Sequence, residues 1–238
     1  GGPTTRPRTV NMSELGRLLE EVRDPPIRSL YVYDCNPAAT VPDQARVLRG
    51  LARDDLFTVV HEQVHTDTVD YADIVLPATT FLEHREIVRS YGGYLVQWSE
   101  PVIPPVGESR SNHEVMRGLA RALGIDHPAL QVSEDELARQ IAVEARVDFD
   151  VLKAERVVSV PSPVQYVDVE RPITLVGPLG PPRYRPPPVD ADLPLILVSP
   201  ASGRAISSTG YETLPPGTAT LTLSPDDARA RGIAAGDQ

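Results

Sequence analysis

Leu30-Tyr31-Val32-Tyr33, Leu56-Phe57-Thr58-Val59-Val60 and Ile74-Val75-Leu76 are three apolar runs, and each opens into a polar segment. The segments are Cys35-Asn36-Pro37, His61-Glu62-Gln63-Val64-His65-Thr66-Asp67-Thr68 and Pro77-Ala78-Thr79-Thr80. β-Branched and aromatic residues dominate the runs, which predicts strands. Pro42 to Arg53 lies between the first two and reads as a helix. Proline suits its first turn, and Val47, Leu48 and Leu51 give it one apolar face. Strand, polar loop, helix, strand, polar loop, strand is the pattern of an open α/β sheet. Such a sheet gathers its ligand at the carboxyl ends of its strands, so the three polar segments are the first candidates for a site.

The chain has 238 residues, a net charge of −10 and one cysteine. Strong acidity argues against a nucleic acid as main partner. One cysteine, Cys35, excludes an internal disulfide and a cysteine-ligated cluster built from this chain alone. No apolar run reaches membrane-spanning length, so no direct membrane span is expected. The first residue is Gly1, so the start is read as cut, and location is left open with the cytoplasm favoured.

Working outward, Ser13 is the expected cap of a helix running to about Arg23, with Leu15, Leu18, Leu19 and Val22 as its stripe. Asp24-Pro25-Pro26 ends it. Gly92-Gly93 predicts a turn before a strand near Tyr94 to Trp98. Asn112 is the expected cap of a helix from His113 to Leu123, stopped by Gly124. A further helix is expected from Glu134 to Ala145. Pro161 to Pro194 is too rich in proline for central strands or helices and reads as an extended connector. Leu195 to Val198 and Thr218 to Leu223 read as strands, and Ser224 caps a short helix from Pro225 to Arg231. The resulting division is 1–150, an α/β domain; 151–193, a connector; and 194–238, the start of a second domain.

Within the strand-end segments, His61-Glu62-Gln63-Val64-His65 matches H-E-x-x-H. On a helix, two such histidines bind zinc and the glutamate activates water. Here the match begins where a strand should finish, and poor helix formers follow. A polar loop with incidental histidines is the stronger reading, and a zinc hydrolase is the alternative. Glu62 suits another role, since a carboxylate accepts two parallel N–H bonds, as from a guanine edge, or binds ribose hydroxyls. Thr66 and Thr68 add hydroxyls, and Asn36 offers both a donor and an acceptor. Together they suggest a nucleotide-type site. Cys35 follows an apolar strand and reads as a small hydrophobe, not a nucleophile. Glu83-His84-Arg85-Glu86 reads as the lining of a cleft or, at least equally, as a salt-bridge knot or solvated face, and Trp98 as core or interface.

The order Asn36-Pro37-Ala38, Pro42-Asp43, Asp55 to Val60, Thr66-Asp67-Thr68 and Tyr71-Ala72-Asp73-Ile74-Val75-Leu76-Pro77 resembles the molybdopterin oxidoreductase family. That family includes formate dehydrogenases, nitrate reductases and dimethyl sulfoxide reductases. Glu83, Gly92-Gly93-Tyr94, Gln97, Gly107 to Arg110 and Leu119 to Gly124 continue the likeness. Ser224 to Ala228, Arg231-Gly232-Ile233 and Gly236-Asp237 resemble the family's final β-barrel domain.

The resemblance implies an α/β fold: an open Rossmann-like sheet with flanking helices, followed by part of a double-psi β-barrel. It implies a molybdopterin guanine dinucleotide cofactor carrying Mo or W, and two-electron redox chemistry. Electrons would leave through a 4Fe-4S cluster in an upstream segment, toward an electron-transfer subunit or carrier. The remainder of its own polypeptide is then a partner, and this portion alone would not turn over substrate. The family's dinucleotide contacts fall on Glu62 and Thr66, and, in the barrel, near Arg204, Ser207, Ser208 and Thr209. The same fold also occurs in the large iron–sulfur subunit of respiratory complex I, a non-catalytic alternative.

Overall fold

The computed structural model describes residues 8–91, 93–161, 183–186, 192–200, 203 and 220–237. By contact the chain falls into two units, 1–187 and 188–238.

The first unit opens with a 3-10 turn, Met12–Glu14, leading into α1, Leu15–Glu21. Asn11 caps the 3-10 turn, accepting the Ser13 amide at 3.1 Å, and Ser13, the expected cap, lies inside that turn. Strands β1 (Ser29–Tyr33), β2 (Phe57–Glu62) and β3 (Ile74–Pro77) follow, with α2 (Pro37–Thr40) and α3 (Gln44–Leu51) between the first two. The three strands form one parallel sheet in the order β1-β2-β3. Tyr33, His61 and Leu76 share one register row near its carboxyl edge.

The sheet and its helices close over two buried groups. Leu19, Ala38, Val41, Val47, Leu51 and Leu56 form one, and Val32, Val60 and Val69 the other. α1 and α3 approach at glycines. A Cβ on Gly16 would lie 2.8 Å from the Val47 amide nitrogen, and one on Gly50 2.7 Å from the Leu19 Cβ. Both gaps are below contact distance, so the helix spacing depends on the missing side chains.

A second core lies farther along. β4 (Glu86–Arg89), β5 (Leu95–Ser99) and β6 (Val157–Ser159) pair antiparallel in that order. Trp98, Val96, Phe149 and Leu152 pack there with Ala138, Ala142 and Val147. These residues come from β5, from α5 (Glu134–Glu144), from α6 (Phe149–Glu155) and from the turn between the helices. Trp98 and Phe149 meet edge to face with ring centres 5.3 Å apart, a favoured aromatic geometry. Trp98 is therefore core.

α4, Asn112–Ala122, is capped by Ser111, one residue before the expected Asn112. Ser111 accepts the Glu114 amide while the Glu114 carboxylate accepts the Ser111 amide, a reciprocal capping box. The same hydroxyl donates to Glu134 Oε1 at 2.6 Å, tying α4 to the first turn of α5. Asn112 is thereby free to reach the sheet.

In the second unit, α7 spans Pro225–Ala230 with Ser224 as its cap, as expected. Residues 195–198, expected as a strand, carry no ladder, and neither do the described residues 220–223. No barrel is seen among the described residues. Residues 218 and 219 and the loop of Arg204, Ser207, Ser208 and Thr209 lie outside them. No helix among the described residues is long and apolar enough to cross a membrane.

Candidate functional site

The three parallel strands end at one edge, and two backbone links gather the segments beyond them. The Ala78 amide donates to the Glu62 carbonyl at 3.0 Å. Arg110 runs beside Ala78, exchanging bonds with Pro77 and Thr79, and so brings the start of α4 to the same edge. Between them lies a cleft of about 180 Å³ lined by Tyr33, Asp34, His61, Glu62, Gln63, Ala78, Phe81, His84, Glu86 and Asn112. Ligand pockets for whole drug-sized molecules are roughly 300 Å³ or more, so this one suits a single ring system or sugar.

Glu62 lines the cleft. One carboxylate oxygen accepts the Gln63 amide at 2.8 Å, and the side chain keeps further accepting capacity. Asn112 donates to the Tyr33 hydroxyl at 2.7 Å across the mouth. His84 shares a bond with the buried Thr79 hydroxyl at 2.9 Å.

His61 stands out. It is 1% exposed, between Tyr31 and Tyr33, with its Nδ1 3.0 Å from the Tyr31 hydroxyl. Its Nε2 is buried and has no hydrogen-bond partner. Burial pushes its pKa below the ordinary histidine value, which favours the neutral ring.

Asn36 and Thr68 are placed otherwise than the sequence suggests. Both are buried, and they face each other. Asn36 Oδ1 accepts from the Thr68 hydroxyl at 2.7 Å and the Thr68 amide at 3.2 Å, and its Nδ2 donates to Asp67 at 3.0 Å. The Thr68 hydroxyl accepts the Ala38 amide at 3.1 Å. This knot fastens the loop after β1 to the loop after β2, and neither side chain lines the cleft. The Thr66 hydroxyl is buried without a partner and is not among the lining groups either.

Glu83, noted in the sequence within a charged cluster and in the family likeness, is a buried hub. Its carboxylate accepts from the Thr80 amide (2.7 Å) and hydroxyl (2.6 Å), the Val106 amide (2.6 Å) and the Ser109 hydroxyl (3.2 Å). These bonds, led by those from Thr80, lower its pKa from 4.5 to about 2. A depressed carboxylate stabilises the fold above its ordinary pKa, and that contribution is lost as pH falls through the folded value. The stability gap between wild type and Glu83→Gln should therefore be widest above pH 4.5 and close as pH approaches about 2. Urea midpoints measured across that range check this; a gap independent of pH would contradict it. Thr80, three residues before Glu83, was the one local signal of this role.

The zinc reading fails on geometry. His61 and Glu62 are the last two residues of a strand, so their side chains leave opposite faces, and His65 lies exposed beyond it, past a bend at Gln63 and Val64. Among the described residues no group of three or more His, Cys, Asp and Glu is gathered for a metal ion. Cys35 is half-buried, and burial, with the Glu62 and Asp34 charges, raises its pKa. That keeps the thiol protonated, as its reading as a hydrophobe expects.

Comparison with known proteins agrees with this architecture. The family model described as molybdopterin oxidoreductase matches residues 9–122. "Probable oxidoreductase YoaE" of Bacillus subtilis (strain 168) is 47% identical over 152 residues, which cover 61% of this chain and 22% of that protein. The assimilatory nitrate reductase catalytic subunit of the same organism is 26% identical over 129 residues, 54% of this chain and 18% of the other. The chain thus spans about a fifth of the length of these relatives. Among solved structures, acetylene hydratase from Pelobacter acetylenicus aligns with a TM-score of 0.54 at 21% identity, covering 63% of this chain and 21% of the other. That likeness shows the shared fold. The parallel sheet, its helices and the cleft lie within residues 9–122, the segment that matches the molybdopterin oxidoreductase family model.

Proposed function

We propose that the chain supplies cofactor-holding loops of an oxidoreductase that uses a molybdopterin guanine dinucleotide with Mo or W. One observation carries this reading: Glu62, a strand-end carboxylate with unused acceptor positions, faces a base-sized cleft at the carboxyl edge of the parallel sheet. The donor set fits a nucleotide. Guanine presents two adjacent N–H groups that a carboxylate can accept together, and a ribose offers hydroxyls.

When bound, the group supplies two-electron redox chemistry at its metal. This chain's residues bind and orient it. Glu62 holds the nucleotide end. The Asn36–Thr68–Asp67 knot sets the distance between the loops that flank it. Glu83 fixes the segments of Thr80 and Val106 near the mouth. Arg204, Ser207 and Ser208 are assigned to a second contact with the dinucleotide, as the likeness to the family's barrel loop suggests. A 4Fe-4S cluster and the metal-ligating residue belong elsewhere in the polypeptide, and electrons pass to a separate subunit or carrier. On this reading the chain alone does not turn over substrate.

The test is cofactor content. The protein that carries this chain, purified from molybdenum-replete cells, should release guanosine monophosphate on acid hydrolysis together with molybdenum. Glu62→Ala should lower both about tenfold or more, the scale of a lost hydrogen bond to a charged group. Equal contents in wild type and variant would overturn the assignment.

A further inference from the structure

The cleft offers acceptors in abundance: Glu62, Asp34 and Glu86 all line it. A ligand that only donates would suit those groups, but guanine also carries strong acceptors. Its O6 and N7 need donors, whereas adenine presents an amino group at the matching position. The question is which group in the wall donates.

We propose that His61 is that donor, reading O6 of a guanine base through Nε2–H, with the tautomer set by Tyr31. The proposal rests on the dinucleotide reading above and deepens it.

Three observations carry it. His61 lines the cleft, yet its Nε2 is the one nitrogen of the ring without a partner. A buried polar group left unpaired is costly, about 1–3 kcal/mol, so such an atom beside a cleft points to a ligand that completes it. The other nitrogen, Nδ1, lies 3.0 Å from the Tyr31 hydroxyl. When that hydroxyl donates, Nδ1 is an acceptor and the proton of the neutral ring sits on Nε2. Finally, His61 and Glu62 both line the cleft. A base held there meets a donor and an acceptor in one wall, which matches guanine, whose O6 adjoins its N1–H and 2-amino group, and mismatches adenine.

Tyr31 is a positioning residue in this account and does not touch the base. Its removal should let the proton distribute between the two ring nitrogens and weaken the donor without abolishing it. His61→Gln is the informative replacement, since an amide keeps one acceptor for Tyr31 and one N–H for the base. His61→Phe keeps a planar ring and removes the donor.

The experiment uses the apo form of the protein that carries this chain, titrated with guanosine, inosine and adenosine diphosphates. Inosine retains O6 and lacks the 2-amino group, so it separates the two contacts. His61→Phe should weaken guanosine and inosine diphosphates alike, roughly three- to tenfold, the scale of one neutral hydrogen bond, and leave adenosine diphosphate unchanged. His61→Gln should recover most of that loss. Glu62→Gln should instead narrow the preference for guanosine over inosine diphosphate. Imidazole nitrogen NMR of wild type should show the proton on Nε2 of His61, and Tyr31→Phe should show a mixture of tautomers. If Glu62→Gln narrows that preference while His61→Phe leaves guanosine diphosphate binding untouched, the donor assignment is overturned and the dinucleotide reading survives. If guanosine diphosphate binds no better than adenosine diphosphate in wild type, both fall. A proton found on Nδ1 also overturns the donor assignment.

Discussion

Asn36→Ala should destabilise the protein by about 2–4 kcal/mol, as a lowered urea midpoint, because it strands several buried groups at once. The Thr68 amide and hydroxyl lose their acceptor, and Asp67 loses a donor. None of these is easily rehydrated, since Thr68 is fully buried. Asn36→Asp separates the contributions. Asp retains an acceptor for Thr68 but sets a carboxylate against that of Asp67, so its penalty should be greater at neutral pH than in acid. A loss under about 0.5 kcal/mol for Asn36→Ala, the range of ordinary surface changes, would show that the knot is not structural.

Trp98→Ala should cost about 3–5 kcal/mol, the range for deleting a large buried aromatic. Trp98 is 4% exposed and packs on Phe149, and its ring nitrogen donates to Glu100 at 2.8 Å. Glu100 also receives Arg85 at 3.1 Å and Arg156 at 3.5 Å. These exposed pairs contribute little by themselves. The cavity left by the indole therefore dominates, and Trp98→Phe should be milder. Trp98 is the single tryptophan of the chain, so wild-type fluorescence follows this core directly during unfolding. A midpoint for Trp98→Ala within error of wild type would refute the assignment of Trp98 as the centre of the second core.

The parallel sheet was legible because β1, β2 and β3 are short β-branched runs ending in polar segments, and the period of their residues leaves few alternatives. α4 was legible to within one residue. Its cap fell on Ser111, because the glutamate three residues on completes a reciprocal pair that Asn112 lacks. β4 was hidden by its charges, and β6 is only three residues, too short for a period to show. α6 carries its apolar residues in barely two turns.

In the site, Glu62 was legible as a carboxylate at a strand end. Asn36 and Thr68 were not separable from ligand-binding groups, since a sequence shows which side chains can bond but not which will bond to each other. His61 was seen only as half of a metal motif. Its neighbours Tyr31 and Tyr33 were available as a clue, for alternation along β1 and parallel register with β2 place all three on one face.

Among the described strands of the parallel sheet, β2 alone has a neighbour on each edge, so its amides should exchange with deuterium more slowly than those of β1 and β3. The segment it feeds, residues 63–66, leaves the ladder at once, and its Val64 is 60% exposed. The mouth is therefore rooted at His61 and Glu62 in the doubly flanked strand, while the residues just beyond them carry no ladder bonds.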